Sequence, residues 1–197
     1  MSEFATLHGK KRELTGKGVA RRLRATAQVP AVFYNAKGES LPIQVSEKEL
    51  TKLYGSIGRT TVFNIEIDNN GKKEVAPALF WDIDFYPTKN RIQHVDIYGV
   101  DLNKEIKVRV PLIFTGVAKG TKIGGKLETY REVIEVASKP LSIPRTIEVD
   151  ITEMGLGTIM RVEDLVLPEG VRAEYTNNFA IISVIARGSE KDDDSAE

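Results

Sequence analysis

The sequence predicts a mainly β protein of two domains with short helices, and three observations predict it. Apolar and polar residues alternate in runs of strand length, the pattern of a half-buried strand. An Asn70-Gly71 step joins two such runs, and Asn-Gly supplies the positive φ angles of a tight hairpin turn. Strict alternation restarts at Ile106, after a break at Tyr98-Gly99, as a second core requires. A chain of 197 residues also suits two domains of about 100 residues each. The sequence boundaries are 1–98 and 99–187. An acidic tail over 188–197 (GSEKDDDSAE) has no residue to anchor it in a core and is expected to be disordered.

The elements follow in order. Val19 to Arg24 predicts a helical turn or two, with Arg21 and Arg24 three apart and so neighbours. Val29 to Tyr34, rich in β-branched and aromatic residues and followed by Asn35-Ala36-Lys37-Gly38, predicts a strand. Ser46-Glu47-Lys48-Glu49 fits a capping box opening a short helix through Tyr54, with Gly55 and Gly58 ending it. Thr60 to Ile67 and Lys73 to Phe85 form the hairpin, and Pro77, which lacks an N–H, predicts an edge position or a bulge. Arg91 to Tyr98 is a strand with Ile92, His94 and Asp96 on one face and Gln93, Val95 and Ile97 on the other. In the second half, strands are predicted at Lys104 to Phe114, Val133 to Ala137, Thr146 to Ile151 and Ala180 to Ala186, separated by turn signals at Pro140, Pro144 and Pro168-Glu169-Gly170.

Composition removes several function classes. With no cysteine there is no disulfide, thiolate nucleophile or Cys-based zinc site, and a cytosolic compartment is the expectation. No apolar run reaches the 18 or so residues of a membrane helix, and the first ten residues lack an apolar signal-peptide core. The net charge of zero conceals an asymmetry: residues 1–98 carry 15 Lys and Arg against 11 Asp and Glu, and residues 99–197 carry 13 against 17. Residues 1–24 alone hold seven basic side chains and two acidic ones, which makes them the candidate polyanion contact.

Three segments invite a chemical reading. Gly120-Thr121-Lys122-Ile123-Gly124-Gly125-Lys126 matches the first seven positions of a phosphate-binding loop, but Leu127 stands where a hydroxyl must reach Mg²⁺, and the residues after it alternate like a strand. A Gly-rich turn is the better reading. His94-Val95-Asp96 sets an imidazole beside a carboxylate, yet His8 is the sole other histidine and no nucleophile turn accompanies them, so neither a catalytic set nor a metal site assembles. No cofactor is implied. The basic segment mixes its charges with glycines that let a backbone approach a phosphate, and Tyr34 follows nearby, a composition that reads as an RNA-binding β domain.

The ordered motifs Gly16-Lys17-Gly18-Val19-Ala20-Arg21-Arg22-Leu23-Arg24, Val29-Pro30-Ala31-Val32-Phe33-Tyr34, Pro87-Thr88-Lys89 and Ile92-Gln93-His94-Val95-Asp96-Ile97-Tyr98 resemble the Ctc-type family of 5S rRNA-binding ribosomal proteins, in its long two-domain form. Gly116-Val117-Ala118-Lys119-Gly120, Gly124-Gly125-Lys126-Leu127 and Leu165 to Val171 resemble that family's C-terminal domain. The resemblance implies an N-terminal β-barrel-like domain that docks on 5S rRNA, a second β-rich domain, and a cytoplasmic place on the large ribosomal subunit beside other ribosomal proteins. It also implies an RNA-contacting group of Arg12, Lys17, Arg21, Arg24, Tyr34, His94 and Asp96. Asp96 fits near RNA if it accepts from a base amino group or orients His94 or an arginine. One stretch departs from the family: Asp84-Phe85-Tyr86-Pro87 replaces the usual Gln-x-His-Pro, leaving contacts from that loop open. The other functional reading is a stress-associated RNA-binding protein acting off the ribosome.

Overall fold

The computed structural model describes residues 4–35, 38–69 and 71–186, so the predicted acidic tail lies outside the described residues. The chain divides into two compact units, 1–108 with 138–145, and 109–137 with 146–197.

The first unit is a closed six-stranded barrel. Its elements are β1 (Thr6–Lys11), α1 (Lys17–Ala25), β2 (Gln28–Tyr34), β3 (Ser40–Ser46), α2 (Glu47–Ile57), β4 (Phe63–Asn69), β5 (Lys72–Phe85) and β6 (Ile92–Gly99). Around the barrel the order is β1-β3-β2-β6-β5-β4. The β1/β4 and β2/β6 pairs are parallel and the others antiparallel. Closure leaves no free ladder edge. The pleat turns Leu7, Val29, Ala31, Phe33, Ile43, Val45, Phe63, Ile65, Ile67, Ala78, Phe80, Val95 and Ile97 into one core, joined by Leu50 and Leu53 of α2. Strands β1 and β3 were not foreseen.

Local chemistry explains where the reading from sequence holds and where it shifts. The capping-box signal marks the start of α2, yet the Ser46 side chain makes no cap hydrogen bond. Ser46 is the last residue of β3, the Glu47 amide donates to the Ala27 carbonyl at 3.0 Å, and Glu49 lies 3.4 Å from His8 Nδ1. Gly55 stays inside α2, and Gly58, at φ +72°, ends it. Pro77 costs the β4/β5 ladder no bond. Its partner Asn64 donates to Ala5, away from β5, so the Pro77 nitrogen faces the other side, where its carbonyl accepts from Val100 at 2.9 Å. The irregularities of the β5/β6 ladder fall instead between Phe80 and Asp82 and between Asp84 and Phe85. The second of these reverses the facing expected for Ile92, which is buried in the core while His94 and Asp96 remain on the outward side of Val95 and Ile97.

The outer face of β5 is covered by a second cluster in this unit. Val62, Leu79 and Val100 are buried there with Phe4, Tyr98, Leu102, Ile106, Val108 and Ile143 packed against them. The sequence boundary at 98/99 marks the end of β6, and the packing of the first unit continues through Val108.

In the second unit, β7 (Ile106–Thr115) contributes its later residues, followed by α3 (Lys119–Lys122), β8 (Gly125–Thr129), β9 (Val133–Ser138), β10 (Ile147–Asp150), β11 (Ile159–Arg161), β12 (Val171–Ala173) and β13 (Ala180–Ala186). They form a sheet of order β10-β7-β9-β12 and another of order β11-β13-β8. Residues after Gly124 enter strand β8, with Leu127 paired to Val184, where a phosphate-binding loop would open a helix. A Cβ on Gly120 would lie 2.7 Å from Val184 Cγ1 and 2.8 Å from backbone atoms of Gly155 and Leu156, so this glycine serves close packing.

Candidate nucleic-acid interface

α1 is amphipathic but none of its residues is fully buried. Val19, Ala20, Leu23 and Arg24 are half-covered, while Lys17, Arg21 and Arg22 are exposed. A nine-residue helix of that kind draws little stability from its own hydrogen bonds and depends on tertiary anchors. The Arg24 Nε supplies one, donating to the Gln93 carbonyl of β6 at 2.9 Å. The helix is thereby tied next to His94.

Arg12 sits deeper. Its Nε donates to the Ile43 carbonyl at 2.7 Å and one Nη to the Ala31 carbonyl at 3.3 Å, bracing β2 and β3. Burial, together with the nearby Arg24 charge, lowers its guanidinium below the ordinary range. Two of its donors are thus spent inside the fold.

Tyr34, His94 and Asp96 lie on the outer barrel surface. β2 and β6 run parallel with Val32 beside Asp96 and Tyr34 beside Tyr98, so the aromatic ring and the His/Asp pair share one face of adjacent strands. His94 Nδ1 lies 3.6 Å from Asp96 Oδ1, an ion-pair distance too long for a good hydrogen bond. Asp96 Oδ1 is buried without a hydrogen-bond partner among the described residues. Burial raises the Asp96 carboxyl above the usual carboxylate range; His94 pulls it back, and Asp82 and Asp84 push it further up.

Sequence reasoning missed Asp82, and it read Asp84 as part of a divergent loop where the structure places both aspartates beside the His/Asp pair. On β5 they pair with Asp96 and His94 respectively. Arg59 donates to Asp82 Oδ1 at 2.7 Å, leaving Asp84 as the open negative neighbour of His94. Their alternation within a predicted strand was legible, but not which strand would lie beside them. Arg22, exposed on α1 among the residues of the basic motif, also belongs to the helix's cationic surface.

The arrangement therefore separates two kinds of contact. The exposed α1 cations suit phosphates, which fix position without reading sequence. The outward β2/β6 face offers a stacking ring, an imidazole and an acceptor that lacks a donor, groups suited to base edges or ribose hydroxyls. Among the described residues, no cluster of three or more His, Cys, Asp or Glu residues could hold a metal ion.

Two family models match the chain. Residues 7–97 match the Ribosomal L25p family, and residues 105–187 match the family described as Ribosomal protein TL5, C-terminal domain. The chain is 51% identical over 191 residues to the large ribosomal subunit protein bL25 of Nitratidesulfovibrio vulgaris strain Miyazaki F, covering 97% of this chain and 100% of that one. It is 48% identical over 188 residues to the protein of the same name from Lawsonia intracellularis, covering 95% of each chain. It is 36% identical over 192 residues to that of Wolbachia pipientis, covering 95% of this chain and 93% of the other.

Proposed function

The chain belongs to the ribosomal L25p family in its long form with a TL5-type C-terminal domain, and from that premise we propose that it is a structural component of the large ribosomal subunit which binds 5S rRNA through its barrel unit. It works in the cytoplasm on the ribosome, beside neighbouring ribosomal proteins, and performs no catalysis. The names of the relatives support the ribosomal role, and the family resemblance of the α1 and β6 motifs supports the choice of RNA.

One observation carries the reading: Arg24 fastens the exposed cationic helix α1 to Gln93, the residue before His94, so phosphate contacts and the Tyr34/His94/Asp96 face adjoin. RNA docks first by charge on Lys17, Arg21 and Arg22; the β2/β6 face then discriminates by hydrogen bonding and stacking. Asp96, held among acidic neighbours, is repelled by phosphates and satisfied by a donor, so it favours a base amino group over the sugar-phosphate chain.

The test is to capture the full chain from cell extract and identify the RNA that copurifies. A specific 5S rRNA band, with the chain co-sedimenting with large subunits in growing and stressed cells alike, is expected. Retention of other RNAs without 5S rRNA, or sedimentation away from ribosomes, would replace this reading with that of an off-ribosome stress protein.

A further inference from the structure

Beside α1 lies an open groove lined by Ala27, Glu47, Lys48, Thr51, Lys52 and Asn90. Its electrostatics follow from how its acids are used. Glu47 is held by Arg91 through two bonds of 2.6 Å, and the guanidinium lowers its carboxyl below the usual range. Glu49 is turned toward His8. Lys48 and Lys52 are exposed, and neither has a carboxylate partner among the described residues. Four apart on α2, they stand one above the other on one face of the helix, at about 5–6 Å between Cβ atoms, comparable to the step between successive phosphates of a strand.

The groove is also continuous with the surface already assigned to RNA. Ala27, at φ +56°, turns the chain out of α1 and into β2 in a left-handed conformation rare for a residue with a Cβ. The same residue accepts the Glu47 amide, so the end of α1 and the start of α2 are stapled together. On the far wall, the turn from Tyr86 to Arg91 is closed by its own backbone bonds, and Arg91 is fixed to α2 through Glu47. Both walls are therefore built before any ligand arrives.

We infer that this groove is a second contact for the phosphodiester backbone of the RNA bound at α1, with Lys48 and Lys52 as its cations. The inference rests on the RNA-binding reading and extends the footprint from the α1 surface across to α2. A phosphate chain fits the groove because its two free charges are cations and its one lining carboxylate is already neutralised.

The experiment measures 5S rRNA affinity of the full chain against salt concentration, for the wild type and for Lys48→Gln/Lys52→Gln. Loss of two contacts should make the log affinity against log salt slope shallower by roughly 1.4–1.8, at about 0.7–0.9 per phosphate. The Lys48→Arg/Lys52→Arg chain should retain the wild-type slope. As a measurement independent of folding of the variants, lysine acylation of the wild type should show Lys48 and Lys52 shielded by 5S rRNA. Wild-type binding with an unchanged slope in the Gln variant, or with both lysines still fully reactive, overturns the groove and leaves the RNA-binding reading standing. Shielding seen on assembled large subunits but not with 5S rRNA alone assigns the groove to another component and likewise overturns it. A wild-type chain with no preference for 5S rRNA overturns both.

Discussion

His94 and Asp96 share the outward row of β6 with Nδ1 3.6 Å from Oδ1, close enough to feel each other's charge and too far to satisfy the buried carboxylate oxygen. Burial holds the Asp96 proton in the folded state more tightly than in the unfolded chain. Between the ordinary carboxylate range and the raised folded value, the folded state thus carries more bound proton. The contribution of this group to stability therefore falls as pH rises through that window. Asp96→Asn should raise the melting temperature at neutral pH, and the gap between variant and wild type should shrink on acidification. The same variant should lose on the order of 1–3 kcal/mol of affinity for 5S rRNA while binding an unrelated duplex as well or better. Calorimetric melts across pH and paired titrations check both halves. Equal losses on the two RNAs would remove the specifying role of Asp96.

Arg12 and Arg21 should separate where a charge count would equate them. Arg12→Ala removes two side-chain bonds to the Ile43 and Ala31 carbonyls, at about 1.5–3 kcal/mol for hydrogen bonds from a charged group. Arg21 is exposed on α1, so Arg21→Ala should keep stability within about 0.5 kcal/mol and reduce the RNA salt slope by about one contact. Denaturant unfolding and salt titration of the two variants give the comparison. A stable Arg12→Ala with a strong binding defect would make Arg12 an RNA contact first and a brace of β2 and β3 second.

The contrast shows what the residues alone disclose. The β4/β5 hairpin was legible because Asn70-Gly71 and the flanking alternation are both local, and the ladder does register Asn69 opposite Lys72. β1 and β3 were not, for a physical reason: β1 buries Leu7 and Gly9, which leaves a single apolar side chain to mark its period, and Pro42, with no N–H to donate, argues against the strand that runs through it. Bulges also defeat parity reading, which is why Ile92 joins the core. Tyr34, His94 and Asp96 were found as residues, but their sharing of one outward face comes from the parallel β2/β6 pairing, over 60 residues apart in sequence. The bonds from the Arg12 side chain to the Ile43 and Ala31 carbonyls likewise join residues distant in sequence and leave no trace in composition.

Gly120 illustrates the same gap in the second unit. Its place in a motif that resembles a phosphate loop is accounted for by packing, since a methyl group there meets the Gly155 and Leu156 backbone at 2.8 Å. Gly120→Ala should destabilise the second unit by about 1–3 kcal/mol, the usual cost of overpacking, with the barrel unit's RNA affinity unchanged. Adding Mg²⁺ and ATP should shift neither the wild-type nor the variant melt, and no phosphate should be released. A nucleotide-dependent shift that Gly120→Ala abolishes would restore the phosphate-loop reading.

The first unit extends past the end of β6. All seven RNA-contact candidates lie within residues 1–98, so a fragment of that length should retain the specificity of the full chain for 5S rRNA. It should not retain its stability. Cutting after Tyr98 removes Val100, Leu102, Ile106 and Val108 from the cluster that covers Val62 and Leu79, both otherwise almost completely buried. Re-exposing two such side chains costs on the order of 3–6 kcal/mol, at about 1.5–3 kcal/mol each. Extending the fragment to residue 108 restores four of the covering residues but not Ile143, which comes from the 138–145 segment. Urea unfolding should therefore rank the 1–98 fragment below the 1–108 fragment, and that below the barrel in the intact chain, while all three prefer 5S rRNA to an unrelated RNA. Identical midpoints for the two fragments would mean the outer cluster contributes nothing to the barrel, and a folded 1–108 fragment without 5S rRNA preference would move the RNA site out of the barrel unit.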